Sequence, residues 1–332
     1  MNKHSSIKAA GSLLERAAAT YDFTRAIPRP PVPEAKASEA KAPETVVPPA
    51  ARPVAPAVPP VAEPVRQPSA VAPTPVARRS TPSARSIPGR TARVDIAMLR
   101  EAGFILPDSP VTGLAEEFRI IKRQLLLAAG IGQNVAPVPR GRMILMCSAQ
   151  PDDGKTFCAV NLALSMASEA DVEVLLVDAD FAKPSILSTL GIAGGPGLMD
   201  ALADPAVDVE SCVIRTDIPK LSVLPAGRQT NNDTEYLASE RTRGVIEALG
   251  SDYPSRVVIF DSPPALAASP ASVLAYHVGQ AVLVVRADKT TENELREAIG
   301  LLGGCEHIQL LLNGVKFSPG GRRFGSYYGH GG

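Results

Sequence analysis

The segment that does most to limit the fold of this chain runs from residue 143 to residue 170: MILMC, then SAQPDDGKT, then FCAVNLALSMASEA. The first part is an unbroken apolar run of strand length, and the last repeats its apolar residues at helical spacing. The turn between them ends in Gly154, Lys155 and Thr156, which satisfies GxxxxGK[ST] except that Ala149 stands at the first glycine position. Such a turn aims backbone N–H groups at phosphate oxygens, and the positive end of the following helix favours the same anion. Lys155 is then the side chain that bridges the outer phosphates of a nucleotide, and Thr156 the hydroxyl that ligates Mg²⁺. Pro151, Asp152, Asp153 and Phe157 complete the predicted binding stretch. The competing explanation, an incidental lysine on a strand-to-helix turn, leaves the acidic residues considered next unexplained.

Two further apolar runs end in carboxylates. VEVLLVDADFAKP carries Asp178 and Asp180, and VVIFDSPPAL carries Asp261. Ligands of open α/β sheets collect at the carboxyl ends of the strands, so all three acids are expected to converge on the phosphate loop. Mg²⁺ is a hard ion that keeps waters, and one or two carboxylates with a hydroxyl and phosphate oxygens suit it. Lys155 with Asp178, Asp180 and Asp261 forms the expected catalytic set, and the sequence alone does not separate which of the three acids hold the metal beside Thr156. A single Asp after a strand is otherwise a helix cap or a turn residue.

Strands are predicted at Met143 to Cys147, Val174 to Val177, Leu221 to Leu224, Val257 to Phe260, Ala281 to Val285 and Ile308 to Leu312. Each is short and rich in Val, Ile or Leu, as strands covered on both faces are. Helical segments lie between them, around Phe157 to Ala170, Glu235 to Leu249, Pro270 to His277 and Glu292 to Leu302. That alternation predicts an α/β fold with a parallel sheet and helices on both faces. Upstream the composition changes: 17 of the 32 prolines fall between Pro28 and Pro88. Residues 28–92 are expected to be a disordered Pro/Ala-rich linker. Residues 1–27 are expected to hold a short amphipathic helix, with Ile7, Leu13, Leu14, Ala17 and Ala18 near one face. The folded domain is placed at 93–318 and a Gly/Tyr-rich tail at 319–332.

The charge balance, 34 basic against 34 acidic residues, gives no field of one sign to draw the protein to nucleic acid or an anionic membrane. Lys8, Glu15 and Arg16 interrupt the N-terminal apolar residues, which argues against a signal peptide. The uncharged stretch from Ser262 to Val285 contains three prolines and reads as loop, helix and buried strand, so no direct membrane insertion is expected. Cys147, Cys158, Cys212 and Cys305 lack CxxC spacing and are expected to be buried, reduced thiols.

With AQPDDGKT, VLLVDAD and VVIFDSPP in place as Walker A, A-prime and Walker B motifs, the chain resembles the bacterial tyrosine kinases from about residue 111 onward. Within them it is similar to exosortase-associated tyrosine autokinases of exopolysaccharide systems that lack a fused membrane domain. The resemblance implies a P-loop NTPase fold of the deviant Walker, MinD/ParA-like kind. It also implies ATP and Mg²⁺ as cofactors, with Asp180 and Asp261 joining Thr156 at the metal and Asp178 taking the phenol proton, and a cytoplasmic place at the inner face of the plasma membrane. A separate transmembrane polysaccharide chain-length regulator would be the activator, and a homo-oligomeric ring would phosphorylate its own tails in trans. Tyr327 and Tyr328, set among glycines in GGRRFGSYYGHGG, match the family's acceptor cluster. Glu116, Arg119 and Lys122 match the ExxRxxR subunit contact, with Lys at the third position, which lacks the guanidinium fork. Asn313 is similar to an Asn that faces adenine in related ATPases. Where many relatives carry Arg after the A-prime motif, this chain has Ala182 and then Lys183.

Two other functions share these motifs. A positioning ATPase of the MinD/ParA type usually carries an extra Lys early in the loop, and Gln150 stands there instead. A catalytically weak ATP-binding scaffold of an export complex would tolerate the short tyrosine cluster and the missing arginine.

Overall fold

In the computed structural model, residues 90–107, 110, 112–132, 136–251 and 253–315 are described. The predicted N-terminal helix, nearly all of the predicted linker, and Tyr327 and Tyr328 lie outside these residues.

The apolar runs form strands because each has a hydrophobic layer to meet on both sides. The described residues hold eight: β1 (Arg90–Ala92), β2 (Met143–Ser148), β3 (Glu173–Asp178), β4 (Ile214–Thr216), β5 (Leu221–Leu224), β6 (Arg256–Asp261), β7 (Gln280–Arg286) and β8 (Ile308–Asn313). They make one sheet in the order β1-β4-β5-β3-β6-β2-β7-β8. All six predicted strands are present. β1 and β4 are additions, and β1 brings Arg90–Ala92, assigned to the linker from sequence, into the sheet. Pairing is parallel except between β4 and β5. The connection from Thr216 to Leu221 is too short for a crossover, so those strands must run antiparallel.

Side chains alternate across the sheet and divide the core in two. On one face Ile144 and Met146 of β2 and Ile259 of β6 meet α2 (Gly113–Ala128) and α3 (Lys155–Ala167), through Phe118, Leu125, Leu162 and Met166. The same layer takes in Leu99 of α1 (Ile96–Glu101) and Ile186 of α4 (Ile186–Leu190). On the other face Leu145 and Phe260 meet α5 (Leu198–Ala203), α7 (Glu240–Ser251), α8 (Pro270–Ala275) and α9 (Glu292–Leu301). A short α6 (Asp233–Leu237) adds Leu237 there. Leu145 and Phe260 are fully buried, and each such side chain contributes about 1.5–3 kcal/mol by leaving water.

All four cysteines are buried and free, as their spacing predicts. Burial pushes the Cys147 thiol up to about 11 and Cys158 up to about 12, so neither is a nucleophile near neutral pH. Among the described residues no helix is long and apolar enough to cross a membrane.

Sheet order and register bring the acids together. β6 lies between β2 and β3, with Asp261 beside Met146 on one side and Asp178 on the other. The ends of these three strands therefore form one edge, from which the loop into α3 rises.

Candidate active site

The loop from Ala149 to Gly154 closes on itself: the Ser148 hydroxyl donates to the Gln150 carbonyl at 2.8 Å, and the Gln150 amide donates to Asp153 Oδ2 at 3.0 Å. Asp152 at φ 65° and Gly154 at φ 94° adopt the left-handed conformation that turns the chain into α3. A side chain at Gly154 would begin 2.2 Å from Asn313 Nδ2 and would displace that amide, in addition to straining the left-handed backbone. Helix α3 has no side-chain cap at its N-terminus. Among the described residues, the amides of Asp152, Asp153 and Gly154 find no hydrogen-bond acceptor. Consecutive free amides ahead of a positive helix end make an anion cradle.

The predicted charged residues meet at this cradle. Lys155 Nζ lies 3.0 Å from Asp180 Oδ2, and both side chains are largely buried. The Thr156 hydroxyl donates to Asp261 Oδ2 at 2.6 Å. Asp178 Oδ2 accepts from the amides of Ser185 and Ile186, each at 3.0 Å, and Oδ1 accepts from the Asp180 amide at 3.3 Å. Asp178 thereby fixes the chain that leads into α4. Burial pushes the Asp178 carboxyl up to about 6, against the pull of those three amides. Asp261 is pushed up to about 7, chiefly by burial, while Lys155 and the Thr156 hydroxyl pull it down.

Asp261 Oδ1 is buried and has no hydrogen-bond partner. An anionic oxygen left in that state is costly unless a cation completes it. No cluster of three or more ligating His, Cys, Asp or Glu residues exists among the described residues. A donor set of one hydroxyl and one or two carboxylates fits Mg²⁺, which brings its own waters and takes phosphate oxygens, and does not fit an ion that needs an all-protein cage.

Other predicted residues take different places. Phe157 packs its ring against Phe104, with centroids 4.9 Å apart, as part of the α2–α3 layer. Asn313 donates from Nδ2 to the Asp153 carbonyl at 2.8 Å and so touches the loop itself. Asp152 and Pro151 are exposed at the rim, while Asp153 is buried. On α2, Glu116 and Arg119 pair with each other near the surface. Lys122 turns inward instead: its ammonium lies 2.7 Å from Glu169 and donates to the Ser165 carbonyl at 2.8 Å. Lys183 is exposed, and only its amide reaches the site, donating to Asp180 Oδ1 at 3.1 Å.

Three contributors were not singled out in the sequence. Ser185 Oγ lies 3.4 Å from Thr156 Oγ1, Lys289 donates to the Pro151 carbonyl at 3.2 Å, and Glu294 accepts from Gln150 Nε2 at 3.0 Å. Lys289 follows the carboxyl end of β7, and the rule that ligands gather at such ends was the one signal that pointed to it.

No family model matches the chain. EpsB of Ralstonia solanacearum is 32% identical over 192 residues, 56% of this chain and 25% of EpsB. This chain thus spans about a quarter of the length of that relative. The tyrosine-protein kinase YwqD of Bacillus subtilis strain 168 is 30% identical over 206 residues, 61% of this chain and 82% of YwqD. The chain belongs to the bacterial tyrosine-protein kinase family. Its fold agrees: the kinase domain of the Escherichia coli tyrosine kinase ETK superposes with a TM-score of 0.55 at 24% identity, over 69% of this chain and 92% of that one. In this member of the family the P-loop, the A-prime acids Asp178 and Asp180 and the Walker B Asp261 share one edge of an α/β P-loop sheet.

Proposed function

We propose that this chain is an ATP- and Mg²⁺-dependent protein-tyrosine autokinase that phosphorylates Tyr327 and Tyr328 of its own tail. The observation that carries this is the open amide cradle of residues 152–154 with the Lys155–Asp180 and Thr156–Asp261 pairs beside it.

Lys155, paired with Asp180, is the side chain that follows the charge developing on the transferred phosphoryl group. The amides of the loop fix the phosphates in line for attack. Thr156, Asp180 and Asp261 are the residues that would hold Mg²⁺, which when bound neutralises phosphoryl oxygens. The tyrosine oxygen bonds to the γ-phosphorus as the bond to the bridging oxygen of ADP breaks. The phenol, with an ordinary pKa of about 10, gives its proton to a carboxylate. Asp178 is suited to that step: at about 6 it is more basic than an ordinary aspartate and still ionised at neutral pH.

In the finer reading the chain is an exosortase-associated autokinase of exopolysaccharide export. It works at the inner face of the membrane with a separate transmembrane chain-length regulator. Transfer occurs in trans within a ring of copies, built on the face that carries Glu116 and Arg119. Each phosphotyrosine adds about −1.5 to −2 charges and expels the tail from an acidic site.

The test is incubation of the purified chain with Mg-ATP, followed by tryptic mass spectrometry, alongside Lys155→Met and a Tyr327→Phe, Tyr328→Phe double variant. Phosphate on the tail that disappears in both variants supports the proposal. Nucleotide binding without any tyrosine phosphate, even with the membrane activator added, would leave the scaffold or positioning ATPase as the function.

A further inference from the structure

Three side chains from outside the P-loop grip it from one side. Lys289, in the turn between β7 and α9, donates to the Pro151 carbonyl at 3.2 Å, and Asn313, at the end of β8, donates to the Asp153 carbonyl at 2.8 Å. Glu294, in the first turn of α9, accepts from Gln150 Nε2 at 3.0 Å. Glu294 is itself fixed by a capping box, taking the Thr291 amide and hydroxyl at 2.8 Å each.

A trans peptide unit points its carbonyl and its N–H in opposite directions. Anchoring the Pro151 carbonyl on Lys289 therefore turns the Asp152 N–H away from Lys289. Anchoring the Asp153 carbonyl on Asn313 turns the Gly154 N–H away from Asn313. These are two of the amides that lack an acceptor among the described residues.

Lys289 has a second target. Asp153 is 1% exposed; its Oδ2 takes the Gln150 amide, its Oδ1 has no hydrogen bond, and Lys289 Nζ stands 3.9 Å from that oxygen. Exposed ion pairs contribute little. Here the lysine is half exposed and solvent weakens the pair, but its partner is wholly buried, and removal of the cation leaves a carboxylate without a counter-charge beneath a site built for anions.

We propose that Lys289 is a positioning residue for nucleotide binding, which with Asn313 and Glu294 holds the P-loop amides outward and screens Asp153 from the incoming phosphates. This rests on the nucleotide-binding part of the function proposed above and adds a residue to it. Lys289 acts on the loop from the same chain, through a carbonyl and a buried acid.

The test is calorimetric titration of the full chain with Mg-ADP, which does not depend on phosphoryl transfer. Lys289→Ala should bind about tenfold more weakly, chiefly because the buried Asp153 carboxylate is left unscreened beneath the phosphates, with a smaller part from the lost Pro151 anchor. Lys289→Arg, which keeps the cation, should stay within about threefold of the wild type. In an Asp153→Asn background, Lys289→Ala should cost less than about threefold, because the buried charge it screens is gone. A general structural weakening would be neither rescued by arginine nor cancelled by Asp153→Asn. Lys289→Ala binding as the wild type does, or the same loss in both backgrounds, overturns the inference alone. A wild type that does not bind Mg-ADP overturns the nucleotide reading and this inference together.

Discussion

Replacing Asp261 by asparagine should stabilise the nucleotide-free chain above neutral pH. The Asp261 side chain is fully buried, with Oδ2 bonded to Thr156 at 2.6 Å and Oδ1 unpartnered. Burial first, then the nearby Asp178 and Asp180 charges, move its carboxyl from 3.8 to about 7, even though Lys155 and Thr156 oppose the change. At about 1.36 kcal/mol for each pH unit, the displacement corresponds to about 4 kcal/mol. An acid whose folded-state pKa is raised favours the fold while it keeps its proton. That contribution is complete below pH 3.8 and is lost as the pH climbs through about 7. Above pH 7 the native chain therefore carries a buried charge with one oxygen unsatisfied. Asparagine keeps an acceptor for Thr156 and puts a neutral amide where Oδ1 stands, at a cost of about 1–3 kcal/mol. The net gain for Asp261→Asn is about 1–3 kcal/mol at pH 8, shrinking to nothing or reversing by pH 5. Urea unfolding followed by circular dichroism, without nucleotide and with EDTA, measures this from pH 5 to 8.5 in both proteins. The difference between them cancels most other titrating groups. A difference that does not change with pH, or a variant less stable than the wild type at pH 8, would refute the reasoning. The same variant should lose Mg²⁺-dependent nucleotide affinity, the exchange of stability for function expected at a binding site.

Lys122→Ala removes an ammonium held by Glu169 and the Ser165 carbonyl between α2 and α3. It should lower the unfolding free energy by about 1–3 kcal/mol in urea titration, less than a fully buried pair would lose because Glu169 is partly exposed, with Mg-ADP affinity unchanged. Gly154→Ala sets a methyl group 2.2 Å from Asn313 Nδ2 and strains a left-handed residue by about 1–2 kcal/mol. Calorimetric titration should find its nucleotide affinity reduced by more than about tenfold.

The central strands were legible in the sequence because both their faces are covered, so their residues read as unbroken apolar runs; every residue of β2 and β6 is buried. The three-residue strands β1 and β4 carried no such signal. RTA and IRT are each two-thirds polar, and only their pairing with each other and with β5 makes them strands. The spacing of Glu116, Arg119 and Lys122 placed them on one helix, yet gave no sign that Lys122 faces α3 while Arg119 faces outward. That distinction depends on where Glu169 and Ser165 lie.

By itself the sequence determined the chemistry of the site wherever that chemistry is local. The P-loop is contiguous, and Asp178, Asp180 and Asp261 each close an apolar run, so a parallel sheet has to bring them to one edge. Tertiary structure decided what depends on distant partners. Lys289 reaches Pro151 across 138 residues, Glu294 reaches Gln150 across 144, and Asn313 reaches Asp153 across 160. The burial that raises Asp261 to about 7 belongs to the assembled sheet and not to any stretch of chain. Local propensity fixes which residues stand at the end of a strand. Packing fixes which charges are stripped of water there, and so how strongly the site favours a cation.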